Sequence, residues 1–413
     1  KHDENWESKL DLHERLRPEL APTDEAFTRH IRFEIAEANC MTAVGSFGKM
    51  DDIAGIPFLP MMTVYDFFIK RALDQLYYNL YWGSSFILVG TPSGITLAPE
   101  GAQHSWKSDI QIPNLITWEP AFAVEMEWIL CDAIRRHFTR DNQGRTGVMI
   151  RAVTRALNQK DLTKWLKRQV QFKTEMPDGA LLGLTAEDGG LHEAEVPTKS
   201  EAEILETIKA HSLAGGFRLI DWRGYNGYNP GENVVELFVM GALVPEAISA
   251  SEQLLDRGVY ANVTVVSSPD LLCGELGRKD GFAHLKQTLG VDGSLHLRPD
   301  GAVDALGAVG LAGSRVPVVS VHDGEIGLLD NLGSILGVPQ LARAVVKFSK
   351  SGTPKHIYEY HDMHPEGIVD ACGQILSETA MERVQLHPEA VAMLRAQKDN
   401  PSGNWRDLWP KPE

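Results

Sequence analysis

The chain has 413 residues, of which 43% are hydrophobic and 23% are charged, a composition typical of a soluble globular protein with two or three domains. Its formal net charge of −16 argues against a nucleic-acid surface, because phosphate binding requires a basic face. The four cysteines are scattered without a C-x-x-C pair, and no apolar run reaches the roughly 18 residues of a membrane span, so we expect a cytoplasmic protein without a disulfide framework.

The first half of the chain predicts helices and strands in alternation. Helices are indicated where apolar residues recur at helical spacing, and strands where short apolar runs stand between turn residues. In chain order these are a strand, turn and helix over residues 32–47, a helix over 65–81, a strand over 86–89, a glycine-rich loop over 90–101, a helix over 120–137 and a strand over 146–153.

The second half repeats this alternation after a polar stretch that predicts a surface insertion. Strands that alternate with helices form βαβ units, so the expected fold class is α/β, with two successive domains built on mostly parallel sheets. The expected elements are the insertion at residues 178–200, a helix at 201–211, an interdomain linker within 215–230, strands at 234–239, 261–266, 316–321 and 344–348, and helices at 245–257 and 331–336.

Four segments, taken in order, resemble one family. They are H-I-R-F-E-I-A-E-A-N at 30–39, I-P-F-L-P-M-M-T-V-Y-D-F-F-I-K-R at 56–71, V-G-T-P-S-G-I-T-L-A-P-E-G-A-Q-H at 89–104 with I-P-N-L-I-T-W-E-P-A-F at 112–122, and, in the second half, E-L-F-V-M-G-A-L-V-P-E-A, V-V-S-S-P-D-L-L, P-V-V-S-V-H-D-G and F-S-K-S-G-T. Together they resemble the homodimeric-type pyruvate dehydrogenase component of 2-oxo acid dehydrogenase complexes and its transketolase-like relatives.

The resemblance implies a chain that carries only part of the family's machinery. The family binds the cofactor diphosphate and a divalent metal through G-D-G and a later Asn in its first domain, and this chain contains no G-D-G. We therefore expect a pyrimidine-binding domain at residues 1–222 that lacks its first elements, a linker at 223–233, and a transketolase-like C-terminal domain at 234–413. The chain begins at Lys1 and the first family segment already begins at residue 30, so we expect it to be the downstream part of a longer polypeptide.

The resemblance also implies that Glu37 activates thiamine diphosphate. The cofactor's own 4′-amino group acts as the base in its imino form, and this form requires a carboxylate that is hydrogen-bonded to the pyrimidine N1′. Glu37 lies in the I-A-E-A-N segment, which carries this glutamate in the family. A glutamate at a helix start is also favoured by the helix dipole alone. Glu34 is a rival, but Glu37 fits better because Asn39 then falls at the family's second polar position.

Three further residues are candidates by the same resemblance. Tyr65 is expected to bind the cofactor through its ring, with Phe68 as the alternative, and plain core packing is the other explanation for both. His104, which closes E-G-A-Q-H, is expected to face the thiazolium and to move a proton, although it could simply cap the loop. No metal-ligand set is predicted in this chain, and Mg²⁺ is expected to bind mainly to the diphosphate-binding half.

The implied reaction is oxidative decarboxylation of a 2-oxo acid, with pyruvate as the preferred substrate, followed by acyl transfer to a lipoyl group. The implied partners are a diphosphate-binding domain or subunit that carries G-D-G and Asn, a second copy of the chain in a dimer or heterotetramer, and a lipoyl acyltransferase. Two alternatives stay open, namely ketol transfer between sugar phosphates, as in transketolase, and a non-catalytic assembly subunit that keeps the fold.

Overall fold

The computed structural model describes residues 31–33, 35–95, 112–139, 147–153, 155–165, 200–223, 228–230, 232–273, 281, 283–291 and 316–385. Within these ranges the chain forms two sheets flanked by helices. None of the helices described there is both long enough and apolar enough to cross a membrane.

The first sheet is four-stranded and entirely parallel, in the order β1-β2-β4-β3. Its central strands read as apolar runs because strands of a parallel sheet are covered on both faces by other elements. The elements are α1 (Glu37–Ala54), β1 (Met61–Val64), a 3₁₀ helix (Asp66–Ala72), α2 (Leu73–Tyr81), β2 (Phe86–Ser93), β3 (Leu115–Trp118), α3 (Ala123–Thr139) and β4 (Gly147–Val153).

The second sheet is five-stranded, in the order β5-β7-β6-β8-β9, and only β5 runs antiparallel to its neighbour. Its central strand β6 has the sequence V-V-E-L-F-V-M, and all seven residues are buried. The elements are α4 (Glu201–Leu213), β5 (Gly216–Ile220), β6 (Val234–Met240), a 3₁₀ helix (Gly241–Leu243), α5 (Val244–Leu255), β7 (Tyr260–Val266), α6 (Pro269–Leu272), a π-helical turn (His284–Thr288), β8 (Val318–Glu325), a 3₁₀ helix (Ile326–Leu328), α7 (Leu332–Leu336), β9 (Gln340–Val345), α8 (Pro354–Tyr360) and α9 (Pro365–Gln385).

The α/β class with mostly parallel sheets is confirmed, but some predicted segments differ from the structure. Of the strand, turn and helix expected over residues 32–47, the described residues form only the helix, α1, and β2 extends to Ser93 into the loop expected at 90–101. The linker expected within residues 215–230 is wrong at its start, because Gly216–Ile220 form β5, which pairs with β7 along the edge of the second sheet. The strand expected at 344–348 lies earlier in the chain, because β9 spans Gln340–Val345. The side chains of Val346 and Phe348 beyond its end are 63% and 80% exposed. The division into domains at residues 222 and 234 stays a prediction.

The two sheets meet near their carboxyl ends. The backbone N–H of Glu119, which follows β3, donates to the carbonyl of Ser267, which follows β7, over 2.8 Å. Asp270 in α6 accepts hydrogen bonds from the backbone N–H and the hydroxyl of Thr117 in β3. Leu271 of α6 belongs to the apolar cluster on the first sheet. The ends of the strands of both sheets are thereby held against each other.

Candidate active site

Glu37 is the first residue of α1, and its carboxylate is largely buried. The side chain is 11% exposed, and Arg71 Nη1 donates a hydrogen bond to Glu37 Oε1 over 3.4 Å. The first turn of a helix carries unpaired N–H groups and a partial positive charge, so a carboxylate there is stabilised electrostatically. The helix start and Arg71 together hold one carboxylate at a partly enclosed position.

Two aromatic rings are linked to this carboxylate through Arg71. Tyr65 directly follows β1, Phe68 lies in the 3₁₀ helix after it, and their ring centroids are 5.3 Å apart. The guanidinium carbon of Arg71 lies 4.0 Å from the centre of the Phe68 ring. Glu37, Arg71, Phe68 and Tyr65 therefore form one continuous cluster, which we call the Glu37 cluster.

The structure brings together three of the four residues that the sequence singled out. Glu37, Tyr65 and Phe68 lie in the Glu37 cluster, whereas His104 falls outside the described residues, as does the rival Glu34. The position of Glu37 at a helix start agrees with both explanations given for it, the catalytic one and the dipole one. The roles of all four residues stay predictions.

The sequence reasoning missed a buried charge cluster next to this site. Arg151, in the middle of β4, lies 2.5 Å from Glu119, 3.3 Å from Asp323 and 3.4 Å from Asp66 through its guanidinium nitrogens. All four side chains are almost fully buried. Since Asp66 directly follows Tyr65 in the chain, this Arg151 cluster also borders the Glu37 cluster.

The Arg151 cluster joins the two sheets at their carboxyl ends. Asp66 and Glu119 follow β1 and β3 of the first sheet, while Asp323 lies in β8 of the second. Asp323 also accepts a hydrogen bond from the backbone N–H of Ile95 over 3.0 Å. One guanidinium group thus ties three carboxylates from three different strand ends.

Ionising all three buried carboxylates beside a single guanidinium is energetically unfavourable, because burial and mutual repulsion disfavour their charged forms. Burial raises the pKa of Glu119 to about 7, and the carboxylates of Asp323 and Asp66 add to this rise against the attraction of Arg151. Glu119 therefore exchanges a proton near neutral pH. An arginine within the apolar run V-M-I-R-A-V was the sequence signal for this cluster, because arginine is almost never fully buried without partners.

A second buried carboxyl holds the start of α3. Glu125 accepts hydrogen bonds from the backbone N–H groups of Ala121 and Phe122, at 3.0 and 2.9 Å, and from the hydroxyl of Ser212 in α4. Burial raises the pKa of Glu125 to about 7, while these hydrogen bonds oppose the rise. These contacts are all structural, so Glu125 fixes the packing of α3 on α4.

Comparison with known proteins places this geometry in a known fold. No family model matches the chain. Over 115 residues it is 29% identical to the pyruvate dehydrogenase E1 component of Buchnera aphidicola subsp. Schizaphis graminum, a match that covers 25% of this chain and 12% of that protein.

Among solved structures, the chain matches transketolase from Pichia stipitis in complex with sedoheptulose 7-phosphate, with a TM-score of 0.52 at 18% identity, over 86% of this chain and 38% of that one. Transketolase from Leishmania mexicana gives a TM-score of 0.52 at 15% identity, over 85% of this chain and 38% of that one. The chain has a transketolase-like fold. The family resemblance drawn from the four sequence segments is thereby confirmed at the level of the fold. Because this transketolase-like chain spans only 38% of those transketolases, its activity has to be argued from its own residues.

Proposed function

We propose that this chain supplies the aminopyrimidine half of a thiamine-diphosphate-dependent active site, and that Glu37 is the carboxylate that pairs with the pyrimidine N1′. The observation that carries the proposal is the Glu37 cluster, in which a carboxylate that is 11% exposed is joined through Arg71 to two aromatic rings. The proposed reaction is oxidative decarboxylation of a 2-oxo acid, with pyruvate preferred, and acyl transfer to a lipoyl partner.

The residues of the Glu37 cluster fit an aminopyrimidine ring. Such a ring has flat apolar faces and a polar edge, so it needs an aromatic or apolar wall and a hydrogen-bond acceptor beside it. Tyr65 and Phe68 provide the wall, and Glu37 provides the acceptor. The Cys40 thiol, one turn along α1 from Glu37, is half-buried, and burial and, secondarily, the charge of Glu37 raise its pKa above the ordinary value.

Each residue of the Glu37 cluster then has a distinct task. When bound, thiamine diphosphate supplies a carbon nucleophile and an electron sink for decarboxylation. Glu37 accepts the hydrogen bond at N1′ and can hold or release a proton there. Arg71 fixes the orientation of that carboxylate, although a hydrogen bond of 3.4 Å through a half-exposed side chain is weak enough to yield. His104 is proposed to move a proton on the substrate side.

The choice of a 2-oxo acid rests on the local sequence identity. The 29% identity over 115 residues is with a pyruvate dehydrogenase component, whereas the similarity to transketolases lies at 15–18% and concerns the fold. The proposed partners are a polypeptide that carries the diphosphate-binding half with its Mg²⁺, a second copy of this chain, and a lipoyl acyltransferase.

The proposal is tested on the assembly that this chain forms in its own cells. The chain is tagged, its complex is purified natively, and reduction of an artificial electron acceptor is measured with thiamine diphosphate and Mg²⁺ present. We expect turnover with pyruvate or another 2-oxo acid. Turnover of xylulose 5-phosphate without turnover of 2-oxo acids would contradict the decarboxylase proposal. No turnover of either, in an intact complex, would favour an assembly subunit.

A further inference from the structure

A cleft of about 440 Å³ with charged side chains in its walls lies at the carboxyl edge of the second sheet, and none of its lining residues belongs to the Glu37 cluster. Its walls come from the start of α5, which follows β6, from α8 and α9, which follow β9, and from Arg155, which follows β4 of the first sheet. Ligands of α/β proteins bind at the carboxyl ends of the strands, and small-molecule pockets typically have volumes of roughly 300–1,000 Å³. The cleft has the position and size of a small-molecule site.

The inner wall of the cleft is rigid. Arg155 Nη1 donates to Glu246 Oε2 over 2.6 Å and to the carbonyl of Ala242 over 2.8 Å. Glu246 is 12% exposed, so this ion pair is poorly screened by solvent. A ligand in the cleft would therefore contact a fixed positive group and a fixed negative group side by side.

The mouth of the cleft carries a loose ion pair and a loose histidine–carboxylate pair. Lys355 and Glu359 are 3.9 Å apart, and His364 and Glu366 are 4.0 Å apart, both at the limit of direct interaction. Exposed pairs of this kind contribute only about 0–1 kcal/mol. Their four side chains can therefore turn towards a ligand at little cost.

A buried hydroxyl at the cleft has no well-formed hydrogen bond. Tyr358 lines the cleft and is 4% exposed, and among the described residues its hydroxyl makes no hydrogen bond of good geometry, although the Arg155 guanidinium lies close enough to interact with it. Burial raises the pKa of Tyr358 and the nearby Arg155 guanidinium opposes this rise only in part, so the hydroxyl stays neutral. The Nδ1 atom of His364 is likewise buried and unbonded there. A polar ligand that reached these atoms would satisfy both of them.

From this arrangement we infer that the cleft binds a small zwitterion that carries an ammonium group and a carboxylate, of the class of free α-amino acids. Once Arg155 and Glu246 are paired, Lys355, Glu359 and Glu366 are left to meet a ligand, so a purely anionic ligand would face two carboxylates and a purely cationic one would leave Lys355 without a partner. A zwitterion places its carboxylate towards Lys355 and its ammonium group towards Glu359 and Glu366. This inference does not rest on the proposed function.

The full chain is tested by calorimetric titration with L-alanine, L-glutamine and L-phenylalanine. Each amino acid is paired with the acid that lacks its amine and with the amine that lacks its carboxylate, for example propionate and ethylamine for alanine. We expect at least one amino acid to bind saturably and at least tenfold more tightly than both of its fragments. Binding of a fragment as tight as that of its parent, or no binding by any of the three amino acids, would overturn the inference.

Variants locate the binding in the cleft. The double change Glu359→Gln and Glu366→Gln is expected to weaken amino-acid binding at least tenfold, because it removes both partners of the ammonium group. Tyr358→Phe removes a hydroxyl that makes no hydrogen bond of good geometry in the described part of the chain, so it should weaken binding while the fold persists. The control is Lys209→Met, which breaks a similar surface pair of 3.7 Å on α4. Equal binding by wild type and the double variant would refute the site.

Discussion

Replacing Glu119 by glutamine is expected to change how the stability of the protein depends on pH. Glu119 is buried against Arg151, and burial raises its pKa from the ordinary 4.5 to about 7 in the folded state. Between these two values the folded protein holds a proton that the unfolded chain releases. The folded state therefore loses stability as the pH rises through this window, and the amide of the Glu119→Gln variant, which has no proton to lose, removes that loss.

The size of the effect follows from the shift in pKa. The difference between 4.5 and about 7 corresponds to roughly 3 kcal/mol, at about 1.4 kcal/mol for each pH unit. The attraction of Arg151 is already included in the pKa of about 7, so the weaker interaction of glutamine with Arg151 offsets the difference by a constant and leaves its dependence on pH unchanged. We expect the free energy of unfolding of the variant, relative to wild type, to rise by up to roughly 3 kcal/mol between about pH 4.5 and about pH 8.

The assay is urea unfolding followed by tryptophan fluorescence at several pH values. Glu125, whose pKa is also raised, titrates in both proteins and cancels in the difference. Glu127→Gln on the exposed side of α3 is the matched control, and its difference from wild type should stay constant with pH. A difference for Glu119→Gln that is equally flat would refute the shifted titration of Glu119 in the Arg151 cluster.

Further changes test the contacts between the sheets by the same unfolding assay. Gly241 has a φ of 49°, and an added Cβ would collide with the carboxylate of Glu119, so Gly241→Ala should destabilise the protein by roughly 2–4 kcal/mol. Gly373 lies on the exposed face of α9 with open space around it, so Gly373→Ala should instead stabilise the protein by up to about 1 kcal/mol. A loss of stability in this variant would contradict the position of Gly373 within an exposed helix. Asp270→Asn and Thr117→Val should each cost about 1–2 kcal/mol, and their combination clearly less than the sum, because both remove the same contact between α6 and β3. Full additivity would show that the two side chains act separately.

The sequence predicted those elements whose apolar pattern is strong. The seven-residue run of β6 and the apolar start of β2 are buried on both faces, and hydrophobicity alone reveals such strands. The pattern failed at β9, because Gln340 and Arg343 interrupt it on an edge strand whose residues are only partly buried. It failed also at β5, a short strand that begins with glycine and reads as a turn.

The site was predictable in part for a similar reason. Glu37, Tyr65 and Phe68 lie in or next to segments that resemble a family, so the sequence placed them together before the structure did. The partners in the Arg151 cluster come from positions that are 85, 32 and 172 residues away from Arg151 along the chain. Only the way that the two sheets meet brings such distant charges together, and no local pattern encodes that contact.

The central claim is that Glu37 activates the cofactor, and the most direct test is Glu37→Gln in the natively purified complex. Glutamine keeps the shape of the side chain but cannot exchange a proton at the pyrimidine ring. We expect turnover that depends on thiamine diphosphate to fall by about 10²–10⁴-fold while the complex stays assembled, as checked by size-exclusion chromatography. Glu127→Gln is the control that should leave turnover unchanged. Turnover at the wild-type rate in the Glu37→Gln complex would contradict the account.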